Sequence, residues 1–176
     1  MTPSSTTPTP RRWQRARGWL INLLIVIVVY FGIQWYQSRS MASDDAPDLR
    51  GTTLAGESFD LRNWRGQPVL VHFWAVWCPV CKLQAGAIEA VSQDHAVITV
   101  AMQSGSRTEV DAYLQQQGLR FATIPDPSGA IASAWGVHAV PASFILDGAG
   151  EIRFTSPGYS TGAGLRGRLW AASQLD

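Results

Sequence analysis

The sequence predicts an α/β domain in which helices cover both faces of a mixed central sheet. Three observations carry that expectation. Two continuous apolar runs, Val69 to Trp74 and Val97 to Met102, read as strands covered on both sides, since a half-exposed strand would alternate apolar with polar. Stretches with helical spacing follow each of them. Nearer the C-terminus, Ser143 to Leu146 and Glu151 to Thr155 flank Asp147-Gly148-Ala149-Gly150, the turn chemistry of an antiparallel hairpin. Strands alternating with helices, then a hairpin and a closing helix, give a sheet with helical layers rather than a bundle or an all-β sandwich.

Taken in chain order, residues 1–18 read as a basic tail. The opening MTPSSTTPTP is too rich in Thr, Ser and Pro to build a core, and Arg11, Arg12, Arg15 and Arg17 follow it. Residues 19–36 carry no charged side chain and have Trp19 at one end with Trp35 and Tyr36 at the other, which reads as a transmembrane anchor with interfacial aromatics. The arginines before it place the N-terminus in the cytoplasm and the body on the outer side of an inner membrane, in the periplasm. A cleavable signal peptide is the alternative, with small residues at Ser38-Arg39-Ser40 and Met41-Ala42-Ser43. Residues 37–48 are polar and read as a linker. Residues 49–176 then form the exported domain, long enough to bury a core.

Net charge is +1, unevenly spread: four of the 14 basic residues and no acid lie in 1–36, leaving ten basic against 13 acidic residues and a net of −3 beyond. A mildly acidic body excludes nucleic acid as the expected partner. Within the body, Thr52 to Leu54 and Ser58 to Leu61, joined through Ala55-Gly56, predict a short hairpin. After the first buried strand, KLQAGAIEAVSQ places Leu83, Ala87, Ile88 and Val91 at helical spacing. Thr108 to Gln117 predicts a second helix stopped by Gly118, Ala130 to Trp135 a short third one stopped by Gly136, and Thr161 to Ser173 the closing helix.

The only two cysteines of the 176 residues are Cys78 and Cys81, in HFWAVWCPVCK. A bridge between such close neighbours constrains almost none of the unfolded chain, so the pair serves chemistry or metal. Structural zinc needs four protein ligands, and His72, His95 and His138 are scattered without paired spacing, which disfavours it. Cu(I) binding by the two sulfurs stays open as an alternative, weakened by only three methionines. Thiol–disulfide exchange needs an accessible thiolate and a second thiol to resolve the mixed disulfide. Here the strand delivers Cys78 to a helix N-terminus, where unpaired NH groups and the helix dipole favour negative charge; Cys81, one turn on, is the more buried resolving thiol. Pro79 suits the first helical turn, Val80 fills the middle pair, Trp77 shields the sulfur, and Lys82 either adds positive field or is solvated. Downstream, GVHAVPASFILD puts Pro141 directly before a strand-like run, which marks a special geometry. With Val140-Pro141 cis beside Cys78, the Val140 backbone would pair with an extended substrate as an added strand.

Together PDLRGTTLAGESFDLRNWRGQPVLVHFWAVWCPVC and GVHAVPASFILDGAGEI resemble the thioredoxin fold, specifically the membrane-anchored TlpA/ResA group. The VAMQSG stretch and the apolar N-terminal segment look most like the ScsD-type proteins associated with suppression of copper sensitivity. The resemblance implies a thioredoxin fold with an N-terminal β-hairpin extension, a protein-disulfide oxidoreductase with nucleophile Cys78, resolving Cys81 and cis-proline Pro141, and no cofactor beyond the Cys78–Cys81 disulfide. It further implies exported substrates with cysteines, copper-stress proteins or apocytochrome c among them, a transmembrane reductant of the DsbD type, and a monomer. Two positions depart from the pattern: His72 stands where thioredoxins have a buried Asp, and Gln84 where ResA-like proteins often have Glu. His72 is then either a base for Cys81 or a neutral structural histidine, while His95 and His138 are expected at the surface.

Overall fold

Six strands join into one mixed sheet in the computed structural model, which describes residues 18–29, 32 and 41–175. The chain divides into two units, Met1–Tyr36 and Gln37–Asp176. In the first, residues 18–29 are helical and exposed. Among the described residues no helix is long and apolar enough to cross a membrane. This corrects the expected placement as a single-pass inner-membrane protein with a periplasmic domain; the transmembrane helix expected at 19–36 is described only over 18–29 and at residue 32. The basic tail through residue 17, residues 30–31 and 33–36 of the expected span, and 37–40 of the linker lie outside the described residues.

The second unit begins with β1 (Asp44–Asp45), inside the stretch read as linker, followed by the hairpin β2 (Arg50–Thr52) and β3 (Ser58–Asp60) and a 3-10 turn at Leu61–Trp64. Then come β4 (Val69–Trp74), α1 (Pro79–Ser92), β5 (Ala96–Met102), α2 (Arg107–Gln117), β6 (Thr123–Asp126), α3 (Ala130–Ala134), β7 (Ala142–Leu146), β8 (Glu151–Pro157) and α4 (Gly162–Ala172). The sheet order is β1-β8-β7-β4-β5-β6; β4 pairs parallel with β5 and antiparallel with β7. The helices, the hairpin extension and the mixed sheet are those the sequence predicts.

Central position explains the composition of β4: all six of its residues are buried. Val69, Val71 and Phe73 face one core with Ile98, Val100, Phe144 and Trp135, while Leu70 and Trp74 face the other with Cys78, Cys81, Ile88 and Leu165. On the first face Phe73, Phe144 and Trp135 meet at centroid distances of 5.0 to 5.7 Å. His72, on the second face, sits in a row of polar side chains that crosses five strands, because register aligns Ser156, Ser143, His72, Thr99 and Thr123. The row satisfies itself through His72 Nδ1 to Ser143 Oγ at 2.9 Å, Thr99 Oγ1 to Thr123 Oγ1 at 2.8 Å, and Trp74 Nε1 donating to Thr99 Oγ1 at 3.1 Å. Buried polar groups persist where they find such partners.

Helix α2 opens with a reciprocal cap: Ser106 Oγ accepts the Glu109 N–H at 3.3 Å and Glu109 Oε2 accepts the Ser106 N–H at 2.6 Å. Those bonds also hold the Glu109 carboxyl below its usual range. Ser106→Ala is expected to cost about 1 kcal/mol in urea unfolding, the common value of such a cap. Gly118 closes the helix in the left-handed region at φ 66.

Candidate active site

Strand β4 ends at Trp74, and the chain turns through Ala75-Val76-Trp77 into α1, with Cys78 as N-cap and Pro79 at its first position. Proline costs nothing there, since the first NH groups of a helix have no intrahelical acceptor. Cys78 Sγ takes the cap role of a hydroxyl or carboxylate by accepting the Cys81 N–H at 3.1 Å. The two sulfurs are joined as a disulfide. Oriented NH groups at this end favour a thiolate on Cys78 once the bond is opened.

Across from the helix end, the Val140–Pro141 bond is cis, and Val140 O lies 3.5 Å from Cys78 Sγ. The expected contrast in exposure between the cysteines is slight in this disulfide form: Cys78 is 4% exposed and Cys81 3%. What separates them is surroundings. Cys78 lies at the rim, beside Trp77 at 56% and Val80 at 41% exposure, whereas Cys81 lines a small internal cavity with His72, Trp74, Ala85, Ile88, Tyr113 and Phe121. Trp77 is therefore a surface side chain at the sulfur. Lys82 places its Nζ 6.0 Å from the Tyr113 ring centroid.

The loop after β5, at the end of the VAMQSG stretch, holds Trp77 in place. Trp77 Nε1 donates to Gln103 O at 3.0 Å, and the Val76 N–H donates to Ser104 Oγ at 3.1 Å. Gln103 is left-handed at φ 45, a conformation few non-glycine residues adopt, and its N–H donates to Asp126 O at 2.8 Å. An unusual residue tying a loop to the cysteine segment was not visible as a spacing. Tyr159, 54% exposed, likewise escaped notice; it follows Gly158, whose N–H donates to Pro141 O at 2.8 Å.

Structure brings His72 to the pair as a neutral ring. Burial pushes its pKa down to about 3, since nothing charged faces it to compensate for lost water. His138 is exposed in the segment before Val140, and His95 is partly buried where β5 begins, at the end of the sheet away from Cys78. Gln84 is completely buried in α1. Among the described residues no group of three or more His, Cys, Asp or Glu is placed to hold a metal ion.

A strand that aims two cysteines at a helix N-terminus, beneath a proline loop that approaches the first sulfur, defines a class: thiol–disulfide oxidoreductases of the thioredoxin fold. The chain belongs to the AhpC/TSA family, whose model matches residues 42–155. It is similar to the thioredoxin-like protein YneN of Bacillus subtilis, 31% identical over 78% of this chain and 88% of that one. With the thiol:disulfide interchange protein DsbE of Escherichia coli it shares 25% identity over 86% of this chain and 88% of the relative. Among solved structures, StoA from Bacillus subtilis superposes with a TM-score of 0.62 at 26% identity, covering 69% of this chain and 96% of StoA. The enzyme is a protein-disulfide oxidoreductase with cysteine-containing substrates.

Proposed function

We propose that the chain reduces disulfides of other proteins, with Cys78 as nucleophile and Cys81 as resolving thiol. Cys78 thiolate attacks a target disulfide, forming one S–S bond and releasing one target thiolate; Cys81 then attacks Cys78 Sγ, the target leaves with both electrons as a dithiol, and the enzyme remains as the disulfide seen here. The observation that carries this reading is the placement of Cys78 Sγ at the helix N-terminus, 3.1 Å from the Cys81 N–H and facing the Val140 carbonyl. Trp77, Pro79, Val80, Val140 and Pro141 surround the sulfur, and an extended target segment lies along Val140 as an added strand. Trp77, Val80, Leu83 and Tyr159 are four of the large apolar side chains exposed in this unit, and they supply an apolar rim for partly unfolded targets.

Within that frame we assign the chain to the ScsD type, acting in copper stress with electrons from a carrier of the DsbD type; the VAMQSG loop that seats Trp77 supports the assignment. Trapping tests the whole reading. Cys81→Ala, expressed in cells grown with and without copper, is expected to accumulate mixed disulfides that dithiothreitol releases, with more partners under copper and the reductant among them. Absence of any trapped protein would reject the reductase; a partner set indifferent to copper would reject the copper role.

A further inference from the structure

Gln84 is 0% exposed, and neither its Oε1 nor its Nε2 has a hydrogen-bond partner. Among the described residues the other buried side-chain atom in that condition is Trp135 Nε1, which belongs to the opposite core face. An amide buried without partners costs free energy in whichever state leaves it so. In the sheet beneath α1 the polar groups are paired, His72 with Ser143 and Trp74 with Thr99, so none of these bonds needs Gln84.

Gln84 stands one helical turn beyond Cys81 on the same buried face of α1. Cys81, Gln84, Ile88 and Val91 are the buried stripe of α1, and residues three apart on a helix face have Cβ atoms about 5–6 Å apart. Helical side chains lean toward the N-terminus and lie over the preceding turn, and for Gln84 that turn is the one that holds Cys81. In the disulfide the Cys81 sulfur has no proton and is a weak acceptor. Reduction adds two electrons and two protons and breaks the S–S bond. Cys81 then offers an S–H that donates to Oε1, or as a thiolate accepts from Nε2.

Resting on the oxidoreductase reading above, we infer that Gln84 is a positioning residue that sets the balance of the pair: its amide is orphaned in the disulfide form, finds its partner in the dithiol form, and so favours reduced enzyme. The consequence is a milder reductant than the same pair would be under an apolar side chain.

The test is the equilibrium of the full chain against glutathione, for the wild type, Gln84→Met and Gln84→Leu, with urea unfolding of the oxidised and reduced forms measured separately. Both variants are expected to shift the equilibrium about tenfold toward disulfide, which is about 30 mV for two electrons. Oxidised protein should gain stability relative to reduced. A merely structural glutamine would change both forms equally and leave the equilibrium in place, which overturns the inference, as does a shift toward dithiol. Should neither variant fold, the wild type decides: hydrogen exchange of the Gln84 side-chain NH2, followed by NMR, is expected to slow on reduction, and equal exchange in both forms overturns the role. Failure here is separate from failure of the reductase reading, because an enzyme that traps targets yet shows an unmoved equilibrium loses only the claim about Gln84.

Discussion

Cys78→Ser is expected to lower the rate of insulin-disulfide reduction by more than about a thousandfold, the order seen when a covalent nucleophile is removed. A serine hydroxyl at the same helix N-terminus is not ionised near pH 7, so the local field that favours a thiolate has nothing to act on. The fold should survive. Serine is a good N-cap and can accept the Cys81 N–H that Cys78 Sγ accepts at 3.1 Å. Unfolding by urea should therefore show Cys78→Ser close to the reduced wild type. Turnover within tenfold of the wild type would mean that Cys81 or another group starts the reaction, and the assignment of roles would fall.

Acid should unfold this protein earlier than its carboxylates alone dictate, because of His72. In the folded state burial holds its pKa near 3, against 6.5 for the unperturbed group. Below pH 6.5 the unfolded chain therefore binds a proton that the folded chain does not. Stability is flat in this respect above pH 6.5, falls as pH drops toward 3, and becomes flat again once the folded form also takes the proton. Over the span from pH 6.5 to 4 the loss is on the order of 3 kcal/mol. His72→Gln removes the titration and keeps an amide able to bond Ser143. Its unfolding free energy should fall less steeply with acid than that of the wild type, so that the two curves converge or cross below pH 5. Parallel curves would show that the imidazole is not shielded as its surroundings indicate. The same neutrality argues against His72 as a proton store for Cys81 at neutral pH, and leaves it the role of a hydrogen-bonded member of the buried row.

Much of this was legible in the residues because it rests on local rules. The apolar run of β4, the proline at the head of α1, the glycine after α2 and the Asp-Gly-Ala-Gly turn each impose their own conformation, and the observed bounds differ from the expected ones by a few residues at most. Two strands left no such mark. β1 pairs through its backbone with Ile152 and Glu151, so its two aspartates show no apolar alternation. β6 reads Thr-Ile-Pro-Asp, and its proline is tolerated because the strand lies at the sheet edge. The site divides in the same way. Cys78, Cys81, Val140 and Pro141 sit in two short motifs, whereas Gln103, Ser104 and Tyr159 join them only through tertiary placement. The row from Ser156 to Thr123 was hidden for the same reason: register across five strands cannot be read along one of them.

The margins of the sheet decide where another polypeptide could pair with this one through its backbone. One margin is a strand only two residues long that ends at exposed Asp45, and at the other Thr123 O is already taken by the Leu54 N–H of the hairpin, 2.9 Å away. β1 covers only Ile152 and Glu151 of β8, so residues 154–157 have no strand partner on their outer side among the described residues, and this stretch rather than the β6 margin is where the sheet could take a further strand. That open stretch ends at Pro157, next to Gly158, whose N–H donates to Pro141 O at 2.8 Å, so the free margin of the sheet runs up to the loop that faces the sulfur.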